Sequence, residues 1–267
     1  MLRGFYNAAS GMIAQQRTQE SLANNIANMN TPGYKADQTS LRAFPELLLR
    51  EMGSQKIPTK NPVHLPVHNT IGTINTGVYL QETTPNFTQG DMKETGLTTD
   101  LALVQTNVPN EFGALFFTVQ HEDGDVRYTR NGNFTVDAEG FLVTSQGYYV
   151  LDDNQNPIQT NGMEFTVNET GVLTTAGGTA QLGIRYAADA NALVKEGSDL
   201  FNGEAGAVPN GANFTVKQGH LERSNVDALQ TMTDMMSAYR LFETNQRVLR
   251  AYDESMGKAV NEIGKLG

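Results

Sequence analysis

The feature that most constrains this chain is where its periodic segments lie. Residues 1–30 carry Leu2, Phe5, Ala9, Met12, Leu22, Ile26 and Met29 at helical steps of three and four. Gln16 and Gln19 interrupt that stripe. Such spacing lines one face of a helix. Asn30-Thr31-Pro32-Gly33 stops it, because proline cannot continue a helix and glycine takes the turn. Residues 226–264 repeat the pattern with Leu229, Met232, Met236, Tyr239, Phe242, Leu249, Tyr252, Met256, Ala259 and Ile263. The period here is near 3.5, a coiled-coil spacing. Ser224 or Asn225 is placed to cap its start. Two long amphipathic ends need a partner for their apolar faces. That partner is either the other end, together with the same helices of neighbouring copies, or the segment between them.

That segment, 78–225, reads as β. Short apolar runs such as Leu115-Phe116-Phe117-Thr118-Val119 are punctuated by Asp123-Gly124, Asn131-Gly132, Glu139-Gly140 and Asn161-Gly162. An internal repeat supports it. Residues 134–147 match residues 165–178 at 7 of 14 positions, and each copy reads as strand, tight turn, strand. Two copies are too few for a solenoid, so the expectation is paired hairpins in one β domain. The expected fold class is α+β: an all-β central domain inserted between N- and C-terminal amphipathic helices that pair as a coiled coil. The expected organisation is a helical domain of 1–30 plus 226–267, an extended connector over 31–77 and a β domain over 78–225. The connector holds Pro32, Pro45, Pro58, Pro62 and Pro66, with one helical or extended piece near 43–52.

Composition narrows the function. The net charge of −10 leaves no basic face for nucleic acid or an anionic membrane. With 0 cysteines there is no disulfide, thiolate metal site or thiol nucleophile. No apolar run is long enough to span a bilayer, and residues 1–30 lack the continuous apolar core and cleavage site of a cleavable signal peptide. His64 and His68 stand four apart, but Pro66 between them opposes the helix a zinc pair would need. Asp152-Asp153-Asn154 opens like a calcium loop, yet Pro157 and Met163 occupy the positions that require Gly and Glu. No phosphate loop, serine elbow or zincin motif is present. The sequence therefore nominates no catalytic, cofactor-binding or metal residue and no small-molecule substrate.

The motifs themselves carry a resemblance. Residues 24–35, Asn-Asn-Ile-Ala-Asn-Met-Asn-Thr-Pro-Gly-Tyr-Lys, look like the N-terminal signature of flagellar rod and hook proteins. Its motif positions here are Asn24, Asn25, Ala27, Asn28, Thr31, Pro32, Gly33 and Tyr34. Upstream, Ala8-Ala9-Ser10-Gly11-Met12 fits the same pattern. Gln89-Gly90 with Asp100-Leu101-Ala102 resembles the family's central motif, and residues 128–134, Tyr-Thr-Arg-Asn-Gly-Asn-Phe, its β-domain motif. Gly219 to Asp227, including Ser224, Asn225 and Val226, resembles its C-terminal motif. The matches run in family order over nearly the whole chain. The departure is Leu103 to Gly113, which intervenes where the family has a short glycine-rich link.

The resemblance implies a structural subunit of the bacterial flagellar basal-body rod. It implies export without cleavage by the flagellar type III export apparatus, terminal helices forming the inner tube of the axial structure, and the β domain outside. The implied partners are other copies of the chain and neighbouring rod and hook proteins. On this reading Leu2, Phe5, Met12, Leu22 and Ile26 pack against Leu229, Met236, Phe242, Leu249 and Met256 as the assembly interface. In the lone chain those stripes lack a partner, so the termini are expected to be loose. A second class is a carbohydrate-binding or carbohydrate-cleaving β protein using Tyr148, Tyr149, Asp152 and Asp153. A third is the tail-tube protein of a phage-like particle.

Overall fold

A computed structural model describes residues 2–57, 63–110, 112–162, 164–175, 177–197 and 199–264. It is α+β, with a helix at each end and a middle that is mostly strand. Helix α1 spans Leu2–Ala27 and helix α2 spans Ala228–Lys258, continuing as a π-turn over Ala259–Ile263. Among the described residues nineteen strands run between them: β1 Asp37–Ala43, β2 Leu47–Ile57, β3 Val63–Ile74, β4 Val78–Pro85, β5 Met92–Glu94, β6 Leu101–Asn107, β7 Ala114–Gln120, β8 Val126–Thr129, β9 Phe134–Val136, β10 Leu142–Thr144, β11 Tyr149–Val150, β12 Thr166–Val167, β13 Val172–Thr175, β14 Gly178–Gln181, β15 Ile184–Ala187, β16 Val194–Glu196, β17 Leu200–Asn202, β18 Asn213–Gln218 and β19 His220–Glu222. The chain forms two compact units. One holds residues 1–22, 39–83 and 232–267; the other holds 23–38 and 84–231.

In the first unit the helices meet. A side chain on Gly4 would overlap the hydroxyl of Tyr252, and one on Gly11 would lie 3.0 Å from Asn245 Nδ2. Glycine lets a neighbouring helix approach to the lower end of the usual 8–10 Å separation. Both pairs step by seven residues and in opposite directions, so α1 and α2 run antiparallel at these points. The termini expected to be loose thus touch each other within one chain. The covered positions of α1 include Ala8 and Ala14, both buried, while Tyr6 and Ile13 are exposed. On α2 the buried and half-buried positions include Thr231, Met235, Ala238, Phe242, Asn245, Leu249, Tyr252, Met256 and Ala259, at steps of four and three.

The expected connector proves to be largely paired strand. β2 and β3 form a long antiparallel hairpin, from Leu47 opposite Ile74 to Ile57 opposite Val63. The piece near 43–52 is extended, not helical. β1 pairs β4, so the segment 31–77 is tied into structure on both sides of the hairpin. Pro66 is accommodated within β3, opposite Ser54. The side chains of His64 and His68 lie outside the described residues.

The second unit is the β domain. Its main sheet runs β16-β17-β8-β7-β11-β10-β9, with β15 also on β7. Residues 114–119 of β7 are all buried, the near-continuous pattern of a strand covered on both faces. The repeat appears as expected. β9 pairs β10 with Phe134 opposite Thr144, and β12 pairs β13 with Val167 opposite Leu173. Asp137 Oδ1 and Asn168 Oδ1 each accept two backbone N–H bonds across the turn. Gly140 and Gly171 follow at φ 86° and 82°, where a Cβ would strain the backbone. The two copies lie in different sheets, yet Phe134 and Leu142 share one core with Phe165 and Leu173. The departure segment begins as the second half of β6, which pairs β18. The other edge of β6 is met by Gln89, whose amide donates to Leu103 O at 3.2 Å and accepts from Gln105 N at 3.1 Å.

Candidate functional site

The N-terminal, β-domain and C-terminal family-like motifs converge inside the β-domain unit, joined by Gly90 of the central one. Residues 28–36 leave α1 as a strap, and most of the motif positions help to fix it. Asn25, 4% exposed at the helix end, donates to Asp37 O and accepts from Asp37 N, both at 2.8 Å. It also accepts from the buried Tyr34 hydroxyl at 3.1 Å. Asn28 donates to Asn24 O and accepts from the Thr31 hydroxyl, which closes the turn before Pro32. Gly33, at φ 69°, presses against the Arg130 backbone so closely that no Cβ would fit. Its N–H donates to Glu222 O at 2.8 Å. Ala27 is exposed, and no contact in the structure explains its place in the motif.

At the centre Lys35, Arg130 and Glu222 form a buried ionic junction. Lys35 Nζ lies 2.7 Å from Glu222 Oε1, and Arg130 NH2 lies 2.8 Å from Glu222 Oε2. All three are at most 3% exposed. Backbone carbonyls complete the shell: Thr88 O for Lys35, and Leu103 O and Leu115 O for Arg130. Gly90 N donates to Glu222 Oε1. One carboxylate thus faces two cations. Burial and the nearby Arg130 charge lower the Lys35 ammonium to about 8, against the pull of Glu222. Burial alone would raise Glu222, but the Arg130 and Lys35 charges and their hydrogen bonds hold it below the usual carboxylate range.

Around this junction Lys195 Nζ sits 3.9 Å over the Tyr34 ring and 2.9 Å from Asp37 Oδ1. Burial first, then the Asp37 carboxylate, pushes the Tyr34 phenol up. The C-terminal motif closes the junction from the other side. Asn225 accepts from Ala36 N at 2.8 Å and donates to Asn86 O and Thr88 O. Ser224 accepts from Val226 N. Neither caps α2: Asp227 Oδ1 accepts from Leu229 N and Gln230 N and is the N-cap. Asn225 is unavailable because its amide is committed to the strap.

The proposed interface residues divide. Phe5, Met12, Leu22, Ile26, Phe242, Leu249 and Met256 are half-buried, whereas Leu229 and Met236 are 78% and 56% exposed. The Leu2 side chain lies outside the described residues. Gly4 and Gly11, where the helices meet, have no side chain and so escape any count of apolar residues. Lys35, Arg130 and Glu222 were visible only as members of separate motifs. The aromatics of the carbohydrate reading are engaged by neighbours. Tyr148 stacks on His121 with centroids 4.9 Å apart, and Tyr149 meets Phe141 edge-on at 5.6 Å. Asp152 caps a polar turn through Asn156 N, and Asp153 pairs with Arg185.

A site whose charged groups all bond to one another and to backbone carbonyls holds a chain in shape. It defines a structural protein, with motifs that serve architecture. The comparisons give that class its family. Residues 5–35 match the family described as "Flagella basal body rod protein", 112–175 the "Flagellar hook protein FlgE/F/G D1 domain", and 217–262 the "Flagellar basal body rod FlgEFG protein C-terminal". The chain is 46% identical to the flagellar hook-basal body complex protein FlhO of Bacillus subtilis, covering 100% of both chains. It is 35% identical to the flagellar basal-body rod protein FlgG of Agrobacterium fabrum, over 95% of this chain and 96% of that one. It is 30% identical to the basal-body rod protein FlgF of Caulobacter vibrioides, over 100% of both. The chain belongs to the flagellar basal-body rod and hook protein family. It is a structural component of the flagellar basal body and not an enzyme. Nothing in these relatives supports the carbohydrate reading.

Proposed function

We propose that this chain works by polymerising through its terminal helices into the axial tube of the rod. α1 and α2 pair as an antiparallel coiled coil, and the assembly interface comprises Leu2, Phe5, Met12, Leu22, Ile26, Leu229, Met236, Phe242, Leu249 and Met256. The observation that carries this reading is the 3.5-residue burial period of α2 together with its contacts to Gly4 and Gly11. A sustained period of 3.5 keeps one seam facing a partner helix along its length. A helical tube also needs heterologous contacts, where one patch meets a different patch on the next copy. Side chains left exposed outside the seam, among them Met236, Tyr6 and Ile13, supply such patches. The neighbours are other copies and adjacent rod and hook proteins, and delivery is by the flagellar type III export apparatus.

The test replaces Phe242 and Leu249 with Asp in the full chain and follows export and incorporation separately. The expected outcome is a chain found in the medium but missing from isolated basal bodies. Losing a fully buried large apolar side chain costs roughly 2–5 kcal/mol; at these half-buried positions the loss is smaller, but a buried carboxylate adds to it and the cost recurs at every subunit. Incorporation at the unsubstituted level would sink the proposal.

A further inference from the structure

The chain contains 0 cysteines and 0 tryptophans but 10 methionines. Oxidative chemistry at its side chains therefore falls first on methionine sulfur. Of the methionines whose side chains are described, Met12, Met29, Met92, Met235 and Met256 are half-buried. Met232 and Met236 alone among them are exposed, at 47% and 56%. They stand four residues apart on α2, which places both sulfurs on one face of the helix. Tyr239, three residues on and 54% exposed, continues that face. The buried seam runs along other positions, Met235, Ala238 and Phe242.

We infer that Met232 and Met236 form an oxidation site through which a hydroperoxide switches subunit addition off. The inference rests on the polymerisation reading above. In each event the peroxide O–O bond breaks and an S–O bond forms at Sδ. The thioether is oxidised by two electrons to the sulfoxide, and the hydroperoxide is reduced to water, or to an alcohol if organic. The proton of the transferred hydroxyl leaves with the departing oxygen. The product replaces a flexible apolar side chain with a polar, chiral one, which is known to disrupt methionine-rich contacts and is reversed by sulfoxide reductases. Two such groups on one face put two unpaired S–O dipoles where a neighbouring copy brings apolar surface. The seam's own Met235 and Met256 are half-buried and so react more slowly than the exposed pair.

The experiment treats the purified full chain with hydrogen peroxide and maps oxidised peptides against time. The treated chain is then offered to basal bodies isolated from cells that lack it. Met232 and Met236 are expected to gain one oxygen each several-fold faster than Met12, Met92 or Met256. Addition to basal bodies is expected to fall several-fold, and to recover after methionine sulfoxide reductase. A chain carrying Met232→Leu and Met236→Leu is compared with itself before and after peroxide, and its addition is expected not to change. Oxidation spread evenly over the methionines overturns the proposal, as does unimpaired addition of the doubly oxidised chain. If the untreated chain does not add at all, the polymerisation reading fails, while the mapping still judges the site.

Discussion

At the scale of single residues the junction of Lys35, Arg130 and Glu222 sets an unusual pH dependence. An unfolded lysine holds its proton to about 10.4. In the folded chain Lys35 releases it at about 8. Between those values the unfolded chain binds more protons than the folded one, so the Lys35 contribution makes stability rise with pH. Below about 8 the charged ammonium is carried in both states, and folding bears the full cost of burying it. Lys35→Met should therefore flatten the rise in unfolding free energy between pH 8 and 10.5, read by urea denaturation at several pH values. A variant whose pH profile overlays the parent would show that Lys35 is not the titrating group. Sequence could not supply this result. Lys35 and Glu222 are 187 residues apart, and nothing in either motif alone says that one carboxylate serves two cations.

Elements were legible where the pattern was long. The two helices, the turn at Asn30 to Gly33 and the repeated hairpins all follow from spacing and turn residues. The hairpin of β2 and β3 did not, because Pro58, Pro62 and Pro66 read as breakers. One of them, Pro66, in fact sits in the β3 ladder opposite Ser54. The contact face of α1 was legible only in part. A count of apolar side chains selects Phe5 and Met12, which are half-buried, and passes over Gly4 and Gly11, where α2 also comes close and whose value lies in what they lack. This yields a prediction at the scale of the helix pair. Gly4→Leu would drive a side chain into the Tyr252 ring, so α1 and α2 must separate there. Hydrogen exchange at the first turns of α1 and around Tyr252 should rise well above that of the parent, while the β domain keeps its protection. Unchanged exchange at both places would mean that the helices are not held by this contact.

Across the whole molecule the chain divides differently from its sequence. The last turn of α1 and the strap, within residues 23–38, belong with the β domain, although the rest of that helix belongs to the other unit. The strap is secured by Glu222, Asn225 and Lys195, none of them near it in sequence. Limited proteolysis followed by native mass spectrometry should therefore leave the β core associated with a peptide covering 23–38, even after the chain between 39 and 83 is cut. A core that emerges without that peptide would place the boundary after the strap instead. Sequence set the boundary at residue 30, where Asn30-Thr31-Pro32-Gly33 ends the helical stripe, and at 78, where the turn-punctuated apolar runs begin, whereas the strap is held by hydrogen bonds to residues far along the chain that no local pattern reports.

The placement of Gln89 has a consequence for how such a molecule behaves in a crowd. A strand edge with open N–H and C=O groups is a template for another chain's backbone, and sheets grow sideways into aggregates when that template is left bare. On β6 the Gln89 amide, with one donor and one acceptor, occupies Leu103 O and Gln105 N as a neighbouring peptide unit would. The Arg130 guanidinium donates to the same Leu103 O, and Leu101 N to Gly132 O, so this edge of β6 is filled from within the chain and offers no open template to the backbone of another.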